Sequence, residues 1–539
     1  MKRITDKKRK WIERTIANDR SYKLYLYNRL AIFTLLVIVQ AIVFIGLGYL
    51  FVYASTIGVA LQIALFVLQL VTVLYLINKT DRPATKLNWI LLILLVPVVG
   101  VPSYLLYGEG KPTRKMNEKI TLAKAENRHK MGDVYRKSRL DTPKKPRSRG
   151  ETIEEYLENY AGYPSYKNGG VTYYESGEKM FPDMLDALRA AEKYIFIEYF
   201  IIAHGKMWGE ILDILLQKAE QGVKIRVIYD DFGCIVTLPP HYDKYLESLH
   251  ENIRCMAFNN IIPLFDVRMN NRDHRKMLVV DGKVAFTGGI NLADEYIGEK
   301  IRFGYWKDTG LKITGGAVRT FVDMFTYMWN AFRKDKEDVN AYLPSLYEEI
   351  QAEKSAPTGA TIQPYDDSPL DERSVGAAVY ADLISRASRY VYIFTPYLIL
   401  DDFLRSLLIQ AALRGVDVRI VTPGIPDKKM TYRITRANYA PLMKAGVKIY
   451  EYTPGFIHAK SMLCDGESAV VGTINLDYRS LYLHFENAVY FTEPEAVGAL
   501  ERDCEATFAV SKLCTPENTK RSVFGKFIDA LLRVFETLF

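Results

Sequence analysis

The hydrophobic pattern divides the chain into an apolar front and a repeating body. Residues 30–52 and 57–77 contain no charged side chain, and each is long enough to supply the roughly twenty helical residues that cross a hydrocarbon core. Both are predicted to be transmembrane helices. A third apolar stretch, 89–107, is interrupted by Pro97, Gly100 and Pro102, so it spans, kinks or re-enters. Residues 1–29 precede the first span without a small-residue cleavage site after it, which argues for a retained anchor. Beyond the front, short apolar and β-branched runs alternate with amphipathic segments, predicting an α/β fold. The chain repeats itself there: residues 190–199 are echoed by 385–394, and 222–228 by 415–421. Each half reads helix, strand, helix, strand, then a hairpin. The hairpins are marked by Asp281-Gly282 between runs 277–280 and 284–287, and by Asp465-Gly466 between 461–464 and 469–471, because Asp-Gly between apolar runs favours a tight turn.

The resulting organisation is a basic leader (1–29), a membrane module (30–108), a basic linker (109–160), a first repeat (161–350), a second repeat (360–512) and an amphipathic carboxy-terminal helix (513–539). The linker boundary is marked by Pro143, Lys144, Lys145, Pro146 and Arg147, and the break at 355–359 suits halves that fold separately and then dock. In the last segment Phe524, Phe527, Ile528, Leu531, Leu532, Phe535 and Leu538 keep helical spacing on one face. That face is predicted to pack on the body, with docking on a bilayer as the alternative.

Charge sharpens this picture. Residues 1–150 carry 27 Lys and Arg against 9 Asp and Glu, so the rest of the chain has a net charge of −10 within the total of +8. The basicity lies beside the apolar segments, where anionic lipid head groups are its natural counter-charge. A nuclease would concentrate cations around its groove, so no nucleic-acid partner is expected. Lys79, Arg82, Lys86 and the basic leader favour the cytoplasmic side; a re-entrant third segment then keeps the body cytoplasmic-facing. The five cysteines, Cys234, Cys255, Cys464, Cys504 and Cys514, have no paired short spacing that would suggest zinc or a disulfide framework.

The candidate chemistry sits at the hairpins. The pattern HxKxxxxD occurs as His274, Lys276, Asp281 and again as His458, Lys460, Asp465, followed at matched distances by Gly288 and Asn291, and by Gly472 and Asn475. Two copies in one register are not accidental. His and Lys two positions apart on a strand face the same side. If the repeats meet face to face, one site gains two His, two Lys and two Asn, a set suited to a phosphodiester. One neutral imidazole attacks phosphorus while the other, protonated, gives its proton to the leaving alkoxide. Lys276, Lys460, Asn291 and Asn475 stabilise charge on the non-bridging oxygens, and neither a metal nor a cofactor is required. Asp281 and Asp465 stand at hairpin corners, where a structural or salt-bridging role is favoured over proton transfer. His129, His204, His241, His250 and His484 have no comparable setting and are read as structural or surface positions; His484 stands out only for preceding Glu486.

The two motifs resemble those of the phospholipase D superfamily, over about Val171 to Val510. The resemblance implies two α/β repeats packed around one active site, preceded by amino-terminal transmembrane helices. It implies that an acidic residue downstream of each motif orients that motif's imidazole, the matching residues being Asp308 and Glu486. It also implies His274 as nucleophile and His458 as acid. The segment 89–108, with the runs Gly289, Asn291, Asp294, Glu295, Tyr296 and Asn475, Asp477, Arg479, Ser480, is similar to bacterial cardiolipin synthases. That similarity implies an integral, multi-pass protein of the cell membrane that transfers a phosphatidyl group from one phosphatidylglycerol to another through a phosphatidyl-histidine. A hydrolytic phospholipase D shares the first half-reaction and remains the alternative. A membrane scaffold is disfavoured by the intact His, Lys, Asp and Asn of both repeats. Nothing in the sequence fixes the oligomeric state.

Overall fold

A computed structural model describes residues 58–79, 83–108, 112–139, 151–260, 270–343 and 357–533, with isolated positions 35, 38, 42, 46 and 536. The leader 1–29, most of the first apolar segment 30–52, the tract 143–147, Ser355, Ala356, Phe535 and Leu538 lie outside the described residues. The first repeat supplies β1 (Tyr166–Tyr174), β2 (Tyr194–Tyr199), β3 (Lys224–Asp230), β4 (Ile253–Phe258), β5 (Lys276–Val280), β6 (Val284–Gly288), β7 (Tyr305–Lys307) and β8 (Gly310–Gly315). The second supplies β9 (Pro357–Asp367), β10 (Tyr390–Phe394), β11 (Asp417–Pro423), β12 (Lys448–Tyr452), β13 (Gly455–Ile457), β14 (Ser461–Cys464), β15 (Ser468–Gly472), β16 (Glu486–Phe491) and β17 (Ser511–Leu513).

The repeats build two sheets with the same strand order, β1-β8-β6-β5-β2-β3-β4 and β9-β16-β15-β14-β10-β11-β12, the second extended by β17. Antiparallel pairing of β1 with β9 fuses them into one sheet of fifteen strands. The parallel pairs β2–β3 and β10–β11 need crossovers, and helices Lys206–Glu220 and Asp402–Leu413 provide them. Asp401 caps the second by accepting from the Leu404 amide at 2.8 Å.

Both Asp-Gly hairpins form. Their turns place Asp281 (φ 53°) with Gly282 (φ 67°), and Asp465 (φ 54°) with Gly466 (φ 69°), in the left-handed region. The carboxylate of Asp281 accepts from the amides of Glu192 (2.7 Å), Lys193 (2.8 Å) and Tyr194 (2.8 Å). Asp465 accepts from Ser388 (2.8 Å), Arg389 (2.7 Å) and Tyr390 (2.8 Å). Each motif therefore ends in a carboxylate that ties its hairpin to the start of the neighbouring strand, β2 or β10, which is the architectural one of the two roles open to it.

Two expectations about organisation change. The halves are not separately packed bodies that dock, because one continuous core contains Phe196, Met277 and Leu311 of the first repeat with Tyr365, Leu463 and Phe485 of the second. Helix Val318–Phe332 belongs to this core and is buried along nearly its whole length. The charge-rich stretch read as a linker contains helix Arg114–Arg139, whose Met116, Ile120, Ala123 and Met131 enter the same core. Its Asn127 Nδ2 donates to Asp323 Oδ1 at 3.0 Å and Thr326 Oγ1 at 2.8 Å. Lys124 donates to Asp366 at 3.1 Å and to Tyr163 at 2.8 Å. Asp366 holds this ammonium charged against the pull of burial, which favours its loss. A net charge count misses such a helix, since its apolar stripe is short of residues but long in reach.

Among the described residues no helix is long and apolar enough to cross a membrane. The second apolar segment lies in helix Gly58–Asn78, which leaves Ile63, Phe66, Val67, Leu70, Val71 and Leu74 exposed. The third is broken into helices Pro83–Leu95 and Pro97–Tyr107. Pro97 has no N–H to offer the Ile93 carbonyl four residues back, and Gln69 Nε2 takes over that bond at 3.1 Å. The second helix folds back on the first so closely that a Cβ on Gly100 would stand 2.6 Å from Ile93 Cα. Leu76, Ile93, Val101 and Tyr104 form a small core of their own around this turn.

The carboxy-terminal helix Val523–Arg533 divides its apolar residues between two faces. Leu532 packs against Ile399, Ile434 and Tyr478, and Asp529 pairs with Arg433 at 2.5 Å, while Val523, Phe524 and Phe527 stay exposed.

Replacing Asp465 by Ala strands three main-chain donors, at about 1–3 kcal/mol for each one left unpaired. The expected result is a marked fall in Tm, read by thermal denaturation, with turnover per folded molecule retained at low temperature. Loss of turnover in a fully stable Asp465→Ala protein would return this carboxylate to the chemistry.

Candidate active site

Each motif histidine is placed by main-chain pairing with the opposite repeat. Strand β13 runs parallel to β7, aligning Ile457 with Lys307, and the His458 amide then donates to the Lys307 carbonyl at 2.7 Å. On the other side Asp273 bridges Phe485 in parallel, and the His274 amide donates to the Phe485 carbonyl at 2.8 Å. The segment before His274 is locked by Arg272, whose Nε and Nη2 reach Asp230 Oδ1 at 3.0 and 2.9 Å in the buried interior. The residue after Lys307 is Asp308, and the residue after Phe485 is Glu486. The pairing thus delivers each carboxylate to the other repeat's imidazole: His274 Nδ1 lies 2.8 Å from Glu486 Oε2, and His458 Nδ1 lies 2.6 Å from Asp308 Oδ2. The expectation that each acid serves its own motif is corrected. The acids are the expected ones, but they are exchanged, because the strands that carry them cross the seam. With Nδ1 held, Nε2 is the nitrogen left for chemistry on each ring.

The motif lysines sit within this cluster. Lys276 Nζ donates to the His274 carbonyl at 2.7 Å; Lys460 Nζ contacts His458 Nδ1 at 2.8 Å and the His458 carbonyl. Asn291 Nδ2 donates to Tyr296 Oη at 2.7 Å while its Oδ1 accepts from the Ile201 amide at 3.1 Å. Asn475 Nδ2 donates to Ser480 Oγ at 2.9 Å, and its Oδ1 is buried without a partner among the described residues. Both amides are held by a hydroxyl five residues on. Asp281 and Asp465 are engaged at the hairpin tips as described.

Burial sets the electrostatics. It holds the His274 imidazole well below its ordinary value, helped by Lys276, His484 and Lys460, and lowers His458 to about 4, with Lys460 reinforcing and Asp308 opposing. Both rings are therefore held neutral at neutral pH by their burial and the neighbouring cations. Burial lowers Lys276 to about 7 against the pull of Glu486, with Lys460 adding to the fall. It lowers Lys460 to about 8 against Asp308 and Glu486. The carboxyls differ: burial drives Glu486 well up, whereas Lys460 and His458 overcome burial and hold Asp308 below the usual carboxylate range.

Several supporting residues escaped the sequence reading. A Cβ on Gly289 would stand 2.0 Å from Asp308 Oδ1; in the second repeat the matching residue is Thr473, whose hydroxyl donates to Glu486 Oε2 at 2.5 Å. Asn487 stitches the seam, accepting from the Lys276 amide at 3.2 Å and donating to Thr287 Oγ1 at 2.7 Å. Arg275 is buried between Glu198, Asp273 and Tyr327. Trp306 and His484 flank the two motif imidazoles with ring centroids at 5.7 and 5.6 Å. Aligning the repeats on their motifs pairs 289 with 473, and aligning them on the carboxylates, which stand six residues nearer the motif in the second repeat, pairs 306 with 484; only the fold reveals that all four touch the site. His274, His484 and Glu486 have donor atoms within 4.8 Å of one another, a spacing open to a metal ion. The cations around His484, namely Arg479, Arg272, Lys276 and Lys428, oppose one there.

A family profile described as "Cardiolipin synthase, PLD-like domain" matches residues 184–301 and 380–507, one block in each repeat. A second, "Phospholipase D-nuclease N-terminal", matches 67–109. The phosphatidylserine synthase of Haemophilus influenzae shares the fold, with a TM-score of 0.55 and 13% identity over 72% of this chain and 100% of that one. Fold and paired motifs define a phosphatidyltransferase of the phospholipase D superfamily. A cardiolipin synthase of Alkalihalophilus pseudofirmus is 30% identical over 88% of this chain and 92% of its own length. Cardiolipin synthase 2 of Staphylococcus epidermidis is 32% identical over 89% and 97%, and a Streptococcus mutans protein with no assigned activity is 43% identical over 87% and 99%. The chain belongs to the bacterial cardiolipin synthase family.

If Lys276 and Lys460 hold a phosphodiester in their charged forms, kcat/KM is expected to fall as pH rises through about 7 to 8. The same limb in kcat lies higher, because a bound anion favours the ammonium forms. A kcat/KM profile flat to strongly alkaline pH would remove Lys276 and Lys460 from substrate binding. Gly289→Ala is expected to push Asp308 off His458 and lower kcat by about a hundredfold, as misplacement near an ångström does, while Tm changes little. An unchanged rate would mean that Asp308 does not act on His458.

Proposed function

We propose that this protein joins two phosphatidylglycerol molecules into cardiolipin and releases glycerol. The observation that carries the reading is the pair of buried imidazoles, each held at Nδ1 by the opposite repeat's carboxylate. The difference between the two carboxyls supports a division of labour. Asp308, kept ionised, can stabilise an imidazolium on His458, the group that must gain and give a proton. His274 stays neutral beside a carboxyl that resists ionisation, the state a nucleophile needs. Binding of the phosphodiester anion lets His458 take up a proton from solvent; His274 Nε2 then attacks phosphorus of the donor lipid, the bond from phosphorus to the headgroup glycerol breaks, and the His458 imidazolium gives its proton to the departing oxygen. In the second step neutral His458 takes the proton from a headgroup hydroxyl of the acceptor phosphatidylglycerol. That oxygen attacks phosphorus, and the bond to His274 breaks. Lys276 and Lys460 stabilise the charge that builds on the non-bridging oxygens, with Asn291 and Asn475 beside them.

The membrane supplies both substrates. In this reading residues 30–52 and 57–77 span the bilayer and 89–107 re-enters it. The two helices of the third segment, 13 and 11 residues long, measure about 20 and 17 Å against a hydrocarbon core of about 30 Å. Their sharp turn and the exposed Leu94, Leu95 and Leu105 suit immersion without crossing. Lys79 and Lys86 then sit on the cytoplasmic side with the catalytic body.

Purified protein on phosphatidylglycerol vesicles, with chelator present, is expected to yield cardiolipin and glycerol in equal amounts. His274→Ala and His458→Ala should each lose about a thousandfold or more. Phosphatidic acid as the main product would assign water as acceptor and make the protein a phospholipase. Wild-type turnover in both variants would sink the mechanism.

A further inference from the structure

Two polar groups beside the catalytic imidazoles are buried and unpaired. Trp306 is 8% exposed, and its Nε1 has no hydrogen-bond partner among the described residues. His484 keeps 11% of its side-chain surface, its Nδ1 stands 3.6 Å from Glu486 Oε1, beyond hydrogen-bond reach, and neither ring nitrogen has a hydrogen-bond partner among the described residues. Leaving such a group unsatisfied costs about 1–3 kcal/mol, and phenylalanine would fill either place without that cost. Native structures keep orphaned polar groups where something else completes them.

The two positions are equivalent. Trp306 lies two residues before Asp308 and His484 two before Glu486. Each precedes the residue whose carbonyl receives the amide of a catalytic histidine. The Trp306 ring meets His458 at 5.7 Å and 43°, and the His484 ring meets His274 at 5.6 Å and 45°. The fold's own symmetry thus puts one unfilled hydrogen-bonding group on each side of the reaction centre. The surroundings favour an anion: Arg479, Arg272, Lys276 and Lys428 all bear on His484.

We propose that Trp306 and His484 are two substrate contacts that bind the oxygens of the phosphoglycerol headgroup, on opposite sides of the reacting phosphorus. This rests on the reading of the site as a phosphatidyl-transfer centre. In-line displacement puts the leaving and entering alcohols opposite the nucleophile, hence beside His458. The Trp306 N–H serves that side and donates to the alcohol oxygen, where it holds a lipid hydroxyl in competition with water. His484, beside His274, serves the phosphatidyl group being transferred and donates to a phosphodiester oxygen.

The test uses the full-length protein in detergent or vesicles with Trp306→Phe and His484→Phe, which keep a ring in place and remove the hydrogen bond. Calorimetric binding of glycerophosphoglycerol is expected to weaken about tenfold or more in His484→Phe, as for loss of one hydrogen bond to a charged group, and about fivefold in Trp306→Phe, whose partner is a neutral hydroxyl, with Tm held or raised. On phosphatidylglycerol vesicles Trp306→Phe should shift product from cardiolipin toward phosphatidic acid. His484→Phe should lower kcat/KM at constant product ratio, and His484→Gln, which keeps a donor, should recover part of the loss. Wild-type affinity and product ratio in both Phe variants would overturn the proposal, as would losses that track a fall in Tm. If the wild type binds glycerophosphoglycerol more tightly than the variants yet forms no cardiolipin, the contacts stand and the transferase reading fails.

Discussion

Everything in the site depends on two short stretches of parallel main-chain pairing across the seam. Strand β13 against β7, and Asp273 against Phe485, fix which peptide faces which. The side chains follow: a motif histidine at the end of one segment meets the carboxylate one residue beyond the end of the other. Hydrogen bonds between backbones tolerate little sliding, since a one-residue slip turns every side chain to the wrong face. The fused sheet and shared core hold the register, and the Arg272–Asp230 pair and the Asn487 stitch secure it locally. Catalytic geometry here is a property of the interface between repeats and belongs to neither alone.

Burial then gives that geometry its chemical character. Out of water, two imidazoles and two ammonium groups lower one another's affinity for protons, so the empty site sheds charge. A phosphodiester anion reverses this by supplying the missing counter-charge. The site is thereby coupled to its substrate class: the ligand that needs the cations is also the one that restores them. Small differences around the two carboxyls, a glycine against Asp308 and a threonine hydroxyl on Glu486, break the symmetry of a duplicated fold and set two like histidines in unlike surroundings.

Much of this was legible beforehand where the signal is local. Asp281-Gly282 and Asp465-Gly466 announce their hairpins, and the doubled spacing from His274 to Asn291 and from His458 to Asn475 announces the site. The exchange of Asp308 and Glu486 was not legible, because their contacts join residues 150 and 212 positions apart and no local pattern records which strand will lie beside which. Helix Arg114–Arg139 was hidden differently. Its Met116, Ile120, Ala123, Asn127 and Met131 recur at helical spacing, but the surrounding charge masks them. His484 stood out only for preceding Glu486; its place beside His274 was not legible, because that neighbour comes from another part of the chain.

The exchange of carboxylates also bears on how the protein is made. On the ribosome the first repeat emerges and can begin to fold while the second is still being assembled. Its His274 nevertheless lacks its partner until translation has passed Glu486. The nascent chain therefore carries an imidazole without its carboxylate, and the site is complete only when the closing strands of the second repeat are in place. A truncated product with a single repeat would hold neither imidazole-carboxylate pair, because both join the two repeats.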